Sequence, residues 1–181
     1  MNRIELIKRL AELERRRVFV LTKRDMEKLF PEEEAKAMEK SLQRMVKDGL
    51  LVKAARGVYV NPSAASRNAG RIIEEVAKAL RPGKRCYLSL ESMLAEYGVI
   101  SQIPVNRLTV MTTGASGLHD TPYGVIEFTH TKRSVPDVLS RTRFIKDRPL
   151  RIATKQAAVQ DLLRVGRNTD MIDDDELEEG A

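Results

Sequence analysis

The stretch SLQRMVKDGLLVKAARGVYVNP, residues 41–62, decides the fold because it joins a helical pattern to two strand patterns. The apolar residues of its first part recur at helical spacing, and Gly49 is typical of a left-handed helix cap. Residues 50–53 and 57–60 then predict two short strands. The turn between them carries Arg56 beside a glycine, so the stretch predicts a helix followed by a small hairpin with a cationic tip.

The helix that ends at Gly49 is the third of the chain, and it is predicted to begin at Pro31, which suits a first helical turn. Two further helices are predicted before it. Thr22 is the expected N-cap of the second helix, and Asp25 completes its capping box. Apolar residues at helical spacing predict the first helix over residues 3–16. The apolar positions of the first helix are Ile4, Ile7, Leu10, Ala11 and Leu13. The buried stripe of the third helix is expected to be Ala35, Met38, Leu42, Met45 and Val46.

The order of three helices followed by a two-stranded hairpin predicts a winged helix-turn-helix over residues 1–61. In that fold the third helix enters the major groove of DNA, and the hairpin lies along the phosphate backbone. A tip that faces phosphate favours a cation and a residue free to adopt positive φ, which Arg56 and Gly57 supply. Gln43 and Arg44 are the expected base readers, because amide and guanidinium groups make paired hydrogen bonds to adenine or guanine. The full expected set of DNA-binding residues is Lys23, Arg24, Lys36, Lys40, Gln43, Arg44, Lys47, Lys53 and Arg56.

The charge of the chain is distributed unevenly along the sequence. Residues 1–61 carry 15 Lys and Arg against 10 Asp and Glu, and residues 62–165 carry 16 against 9. Residues 166–181 reverse the sign, with one arginine against seven acids. A basic body favours a polyanionic partner. A charged helix face is nevertheless often only solvated, and Glu39 lies among the lysines of the third helix, so this alternative stays open.

The composition excludes several classes of protein. No run approaches the roughly 18 consecutive apolar residues that a membrane helix needs. The N-terminal residues alternate charged and apolar side chains, which is not the pattern of a signal peptide. Cys86 is the sole cysteine, which excludes an internal disulfide and a multi-cysteine zinc site. The sequence therefore predicts a cytoplasmic protein without a membrane segment, a metal or a cofactor.

Residues 62–165 predict a second domain of mixed α+β structure. Helices are expected over residues 69–80, from Ser89 as N-cap to Gly98, and after Thr154. Two strands are expected in RLTVMTT and YGVIEFTHT, with the segment GASGLHDTP between them as a mobile loop. The acidic residues 166–181 predict a disordered tail.

An enzymatic function is the main alternative that the residue types leave open. A metal or general-base site could form if the two predicted strands pair, and a divalent-metal-dependent enzyme targeted to DNA would follow. Lys84 and Arg85 beside Cys86 could lower the pKa of that thiol, although no partner base is identifiable. The interpretation preferred here is a protein without catalysis of its own. The candidate residues for the metal or general-base site are His119, Asp120, Glu127 and His130.

The segments LQRMVKDGLLVKAARGVYVNP and YLSLESMLAEYGVI resemble the AbiEi family, the antitoxins of abortive-infection, or type IV, toxin–antitoxin systems in phage defence. The resemblance covers roughly residues 20–165, and its most specific pieces are the Arg56-Gly57-Val58-Tyr59 hairpin and the stretch Tyr87-Leu88-Ser89-Leu90-Glu91-Ser92. TPYGVIEFTH and ATKQAAVQDLL are similar to later family segments. Many relatives carry a Glu-Lys or Glu-Arg pair where this chain has Lys155-Gln156.

The resemblance implies a winged helix-turn-helix followed by an α+β antitoxin domain. It implies a transcriptional repressor that binds inverted repeats in double-stranded DNA upstream of its own operon. It also implies neutralisation of a nucleotidyltransferase-like toxin, while some relatives are solitary regulators. A protein–protein adaptor, in which the winged helix binds a partner protein, remains the other alternative.

Overall fold

The structure, a computed structural model, describes residues 1–64, 71–100 and 106–172. It is a mixed α+β protein with two compact units, Met1–Leu80 and Arg81–Ala181. Within the described ranges, no helix combines the length and the apolar character needed to cross a membrane. The sequence predicted a domain boundary after Asn61, whereas the two compact units divide after Leu80. Whether residues 1–61 fold independently stays a prediction.

The first unit combines four helices with a small antiparallel sheet. The middle strand of that sheet is the last one in sequence, because the strand order is β1-β3-β2. A fourth helix packs against β1 and β3. The elements are α1 Arg3–Glu14, β1 Val20–Thr22, α2 Lys23–Leu29, α3 Ala35–Lys47, β2 Val52–Ala55, β3 Val58–Val60 and α4 Ile72–Leu80.

The two predicted helix signals around α2 and α3 are confirmed. The Asp25 backbone N–H donates to the Thr22 hydroxyl, and the Thr22 backbone N–H donates to the Asp25 carboxylate, which is a complete capping box. Gly49 follows α3 with φ of +72°, and its N–H donates to the Val46 carbonyl. A left-handed residue at this point ends the helix and turns the chain toward the hairpin.

Two expectations about α3 are wrong, namely the residue at which it begins and part of the set of residues that it buries. Pro31 lies in the turn before α3, which begins at Ala35 with Glu34 as its N-cap. In α1 the buried residues are Leu6 and Leu10, whereas Ile4 and Ile7 are 69% and 50% exposed. The apolar residues of α1 form two rows at helical spacing, and the sequence alone does not show which row faces the core. In α3 the buried residues are Met38, Ser41, Leu42 and Met45, while Ala35 is exposed and Val46 is half-buried.

Strand β1 is the element of the first unit that the sequence pattern missed. Val20 to Thr22 pair with β3, with Val20 opposite Val60 and Thr22 opposite Val58. The strand has three residues, too few for a visible alternation of apolar and polar side chains. Its pairing makes β3 a central strand, and all three residues of β3 are buried.

The second unit is built on a six-stranded mixed sheet. The strand order is β6-β7-β5-β4-β9-β8, with parallel pairing between β5 and β7 and between β4 and β9. A short 3₁₀ turn over Thr169–Met171 follows the last helix. The elements are β4 Cys86–Leu88, α5 Leu90–Glu96, β5 Arg107–Thr112, β6 Gly117–Thr121, β7 Gly124–His130, α6 Val135–Ser140, β8 Thr142–Arg143, β9 Arg151–Ala153 and α7 Lys155–Val165.

The predicted helices and the two predicted strands of this unit are present, but the segment between those strands is not a loop. Residues Gly117–Thr121 form β6, which pairs with β7 in an antiparallel hairpin. The strand begins with a glycine and is otherwise mostly polar, and its side chains alternate only between half-buried and exposed, so it shows no clear strand pattern. The insertion of β6 allows β5 and β7 to run parallel. The short elements β4, α6, β8 and β9 were also not predicted.

A buried carboxylate, Asp161 on α7, organises the interior of the second unit. It accepts hydrogen bonds from the hydroxyls of Tyr87, at 3.0 Å, and Ser89, at 2.9 Å. Arg133 and Arg141 approach its other oxygen at 3.1 and 3.5 Å. Asp161 is fully buried, and burial together with the neighbouring carboxylate raises the pKa of Tyr87. This network joins strand β4 and helix α7 with the loops around α6.

A second ionic network holds the segment after α7. Arg167 makes a bidentate pair with Glu91, at 3.0 and 3.1 Å, and also contacts Glu127. The Asn168 amide donates to Glu91 at 2.9 Å. The start of the predicted acidic tail, residues 166–172, is thus tied to α5 and β7, and the prediction of disorder for residues 173–181 lies outside the described residues.

Asp161→Ala should destabilise the second unit by about 3 kcal/mol, because it leaves two arginines and two hydroxyls without their shared acceptor. The free energy of unfolding by urea would measure this loss. Asp120→Asn, an exposed position on β6, is the control and should change stability by less than about 0.5 kcal/mol. Equal stabilities of the two variants would contradict the central role of Asp161.

Candidate nucleic-acid interface

A concave groove of about 620 Å³ lies between helix α3 and the β2–β3 hairpin. Its walls come from the start of α2, one side of α3 and the hairpin. A groove of this size can receive an extended chain segment or a small ligand. The lining residues are Lys23, Glu39, Gln43, Val46, Lys53, Arg56, Gly57 and Tyr59.

The hairpin wall of the groove is shaped by Gly57. Its φ of +73° is a left-handed conformation that most residues avoid, and this turns the chain tightly from β2 into β3. The Lys23 backbone N–H donates to the Gly57 carbonyl at 2.8 Å, which ties the hairpin turn to the start of α2. This hydrogen bond explains why the Lys23 side chain lies in the groove together with Arg56 and Lys53.

The helical wall of the groove is one row of α3. Glu39, Gln43 and Val46 are spaced four and three residues apart, so their side chains lie on one side of the helix. All three line the groove. Arg44 follows Gln43 directly and is therefore about 100° away around the helix.

The structure brings together four of the nine residues predicted to bind DNA, namely Lys23, Gln43, Lys53 and Arg56. Arg44 is outside the groove, where its guanidinium donates to the Met1 carbonyl at 3.0 Å and to the Ser41 hydroxyl at 3.4 Å. The remaining predicted residues are exposed but do not line the groove; they are Arg24 on α2 and Lys36, Lys40 and Lys47 on α3.

One ion pair neutralises part of the positive charge in the groove. Lys23 Nζ and Glu39 Oε1 are 2.6 Å apart. The hydrogen bond between them raises the pKa of Lys23 and lowers the pKa of Glu39. Tyr59 also lines the groove; burial raises the pKa of its hydroxyl, and the charge of Lys23 partly opposes that shift. The groove therefore contains three basic side chains and one carboxylate, and the carboxylate is paired with one of the three.

Glu39 is the groove residue whose position the sequence analysis missed. The sequence showed only that Glu39 lies among the lysines of the third helix, and it did not show that its side chain faces the hairpin. The signal that could have located it is its spacing of four residues from Gln43, which puts the two side chains in one row. The position of Lys23 opposite that row depends on the hairpin contact and is not visible in the sequence.

The four residues considered for a metal site do not converge. His119 and Asp120 are consecutive on β6, so their side chains point to opposite faces of the sheet. His119 lies 3.2 Å from an Arg81 nitrogen, and His130 Nδ1 lies 2.7 Å from the Gly114 carbonyl. Glu127 pairs with arginines. Among the described residues, no group of three or more His, Cys, Asp or Glu side chains could hold a metal ion.

Cys86 lies in an environment that disfavours the thiolate. The side chain is half-buried and its Sγ lies 3.2 Å from the Thr112 hydroxyl. Burial raises the pKa of the thiol, although the Thr112 contact and Arg81 oppose this shift. A cysteine in such a setting is a poor nucleophile at neutral pH, so the neighbouring Lys84 and Arg85 do not activate it.

His119 should make the second unit less stable in acid. Burial lowers its pKa in the folded state, and the nearby Arg81 lowers it further. Because the unfolded chain then binds the proton more tightly, this contribution to stability is present above the unfolded pKa of about 6.5 and is lost as the pH falls. His119→Gln should flatten the decrease in unfolding free energy between about pH 7 and pH 5. An identical pH dependence in both proteins would show that His119 does not contribute.

Comparisons with known proteins provide a fold relationship and no family. No model of a protein family matches the chain, and no curated protein matches it either. The crystal structure of the Rv2827c protein from Mycobacterium tuberculosis is similar, with a TM-score of 0.51 and 16% sequence identity over 76% of this chain. The matched part covers 48% of that protein, so this chain spans about half of its length. At this identity the likeness concerns the fold alone.

Proposed function

We propose that the first unit is a winged helix-turn-helix and that it binds double-stranded DNA. The observation that carries this proposal is the groove, in which Lys23, Lys53 and Arg56 face Gln43 across a concave surface. The order of the elements supports it, since helices α2 and α3 are followed by the β2–β3 hairpin, which would be the wing. Cations on a wing are well placed to contact phosphate, while an amide on the helix can contact a base edge.

The distribution of charge on α3 fits insertion into a major groove. Lys36, Lys40 and Lys47 are exposed along its outer crest, with Gln43 toward the wing. Arg24 is exposed on α2 and is available for the opposite phosphate backbone. On this proposal, the strand of phosphates between the major groove and the adjacent minor groove lies in the cationic channel between α3 and the wing.

The resemblance to the AbiEi antitoxins supports a more specific role. The protein would be a cytoplasmic transcriptional repressor that binds inverted repeats upstream of its own operon and counteracts a nucleotidyltransferase-like toxin. It would act by binding, without catalysis of its own. The resemblance rests on the hairpin residues 56–59, three of which line the groove, and on a second stretch whose Tyr87, Ser89 and Glu91 make internal contacts in the second unit.

A protein-binding role is the second candidate function, and exposed apolar side chains in the second unit favour it. Phe144, directly after β8, is 70% exposed. Val135 and Leu139 on α6 are also exposed and are spaced four residues apart, so they share one side of that helix. Apolar side chains of this size at the surface are typical of contact sites for other proteins.

Gln43→Ala should reduce affinity for the preferred DNA site by about 1–3 kcal/mol and relax the preference for one base pair, because its amide is a groove-facing group of α3 that can both donate and accept hydrogen bonds. Binding isotherms on the preferred and on single-substituted duplexes would measure this. Arg44→Ala is the comparison variant, and it should cost less because its guanidinium already bonds to the Met1 carbonyl. A larger loss for Arg44→Ala would place the base-reading side of α3 away from the groove.

Arg56→Ala should weaken binding to all sequences by a similar factor and reduce the slope of log K against log salt by about one unit, because one phosphate contact is lost. Lys8→Ala removes the same charge from the exposed side of α1, outside the groove, and should leave the slope nearly unchanged. Equal effects of the two variants would argue against a wing that contacts DNA.

Fluorescence anisotropy on the DNA upstream of the gene, beside a scrambled duplex of equal length at two salt concentrations, tests the proposal as a whole. A specific repressor should prefer its site by about 10³-fold or more. Equal and steeply salt-dependent binding to both duplexes would indicate a basic protein without an operator there. An absence of binding to either would favour the protein-binding role.

A further inference from the structure

The acid in the groove, Glu39, is unsuited to binding phosphate, because its carboxylate carries the same sign of charge. It lies within α3 after its first turn, so it does not cap the helix, and its side chain is 63% exposed. Among the described residues, its carboxylate pairs with Lys23. A carboxylate facing three cations reduces the attraction of the groove for any polyanion. Its position therefore needs an explanation beyond affinity.

The chemistry of a carboxylate limits which base edge Glu39 could contact. An ionised carboxylate only accepts hydrogen bonds, and the major groove offers two donors, the N4 amino group of cytosine and the N6 amino group of adenine. Adenine carries the N7 acceptor beside its amino group, which repels a carboxylate but matches an amide. Cytosine has no acceptor beside N4 on its own major-groove edge. Cytosine is therefore the base that suits Glu39, and adenine is the base that suits Gln43.

The spacing of these residues matches the spacing of stacked bases. Glu39 and Gln43 are four residues apart, which is about 6 Å along a helix that rises about 1.5 Å per residue. Base pairs are about 3.4 Å apart along DNA, so the two side chains would reach base pairs one or two steps apart. Val46 continues the row and is an apolar side chain that suits the methyl group of thymine.

We propose that Glu39 is a specificity-determining residue that accepts a hydrogen bond from the N4 amino group of one cytosine in the preferred site, while Lys23 is released to bind phosphate. This inference rests on the proposed DNA-binding function. On other sequences Glu39 gains no donor and stays paired with Lys23, which removes one cation from the groove. The ion pair thus weakens binding to random DNA and makes full use of the groove depend on the correct base.

Selection of preferred sites from a pool of random duplexes tests this inference with the full-length protein, Glu39→Gln and Glu32→Gln. Glu32 is exposed before α3 and outside the groove, so its variant carries the same change in charge. Wild type and Glu32→Gln should select a cytosine at one fixed position. Glu39→Gln should lose that preference by roughly tenfold, bind random DNA more tightly than Glu32→Gln does, and show a salt slope steeper by about one unit.

A modified base separates the contact with Glu39 from any general effect of charge. N4-methylcytosine keeps its pairing with guanine but replaces the amino hydrogen that faces the major groove. Placed at the selected position, it should weaken wild-type binding by roughly tenfold and leave Glu39→Gln binding unchanged. Equal loss in both proteins would overturn the assignment of cytosine to Glu39.

Two failures are distinguishable in these experiments. If the wild-type protein selects no base at any position, the proposed DNA-binding function itself fails. If the wild-type protein selects a site and Glu39→Gln selects the same bases at every position, the role of Glu39 is wrong and the proposed function stands. A cytosine preference that only Glu39→Gln loses would support both.

Discussion

The pairing of β1 with β3 is the interaction on which the first unit depends. A two-stranded hairpin alone is marginally stable in water, and the third strand makes β3 a central, fully buried strand. Thr22 ends β1 and also caps α2 through its capping box with Asp25, so one residue fixes the strand and the helix together. The Lys23 N–H then holds the Gly57 carbonyl. Without this pairing the hairpin would have no fixed position beside α3, and the groove would not exist.

The second unit is organised by polar contacts in its interior rather than by apolar packing alone. Asp161 collects two hydroxyls and two arginines, and Glu91 holds the segment after α7 through Arg167. A buried carboxylate that has lost its partners is costly, so such a network favours a single arrangement of the strands and helices around it. Three residues of the Tyr87–Ser92 stretch that carries the AbiEi resemblance belong to these networks. Their identities are therefore explained by internal contacts, independently of any partner.

The electrostatic balance of the groove points to selectivity rather than maximal affinity. Lys23, Lys53 and Arg56 provide positive charge, and Glu39 neutralises the first of these through a 2.6 Å contact. On the proposed DNA-binding function, an all-cationic groove would bind any polyanion, whereas an acid in the helical wall would penalise sequences that offer it no donor. Specificity is the difference in affinity between correct and incorrect sequences, and on this proposal one carboxylate without a donor is sufficient to create that difference.

The sequence by itself determined the mixed α+β class, the capped ends of α2 and α3, the positive φ at Gly57 and the predicted helices of the second unit, because these features depend on neighbours within about four residues. The sequence also predicted the three cations, Lys23, Lys53 and Arg56, and the one amide, Gln43, that line the groove. The tertiary structure decided which row of α1 is buried, that residues 117–121 form an edge strand beside β7, and that Gln43 and Glu39, rather than Arg44, face the hairpin. These outcomes depend on contacts between residues far apart in sequence, such as Lys23 with Glu39 and Tyr87 with Asp161, and local patterns of polarity do not encode such contacts.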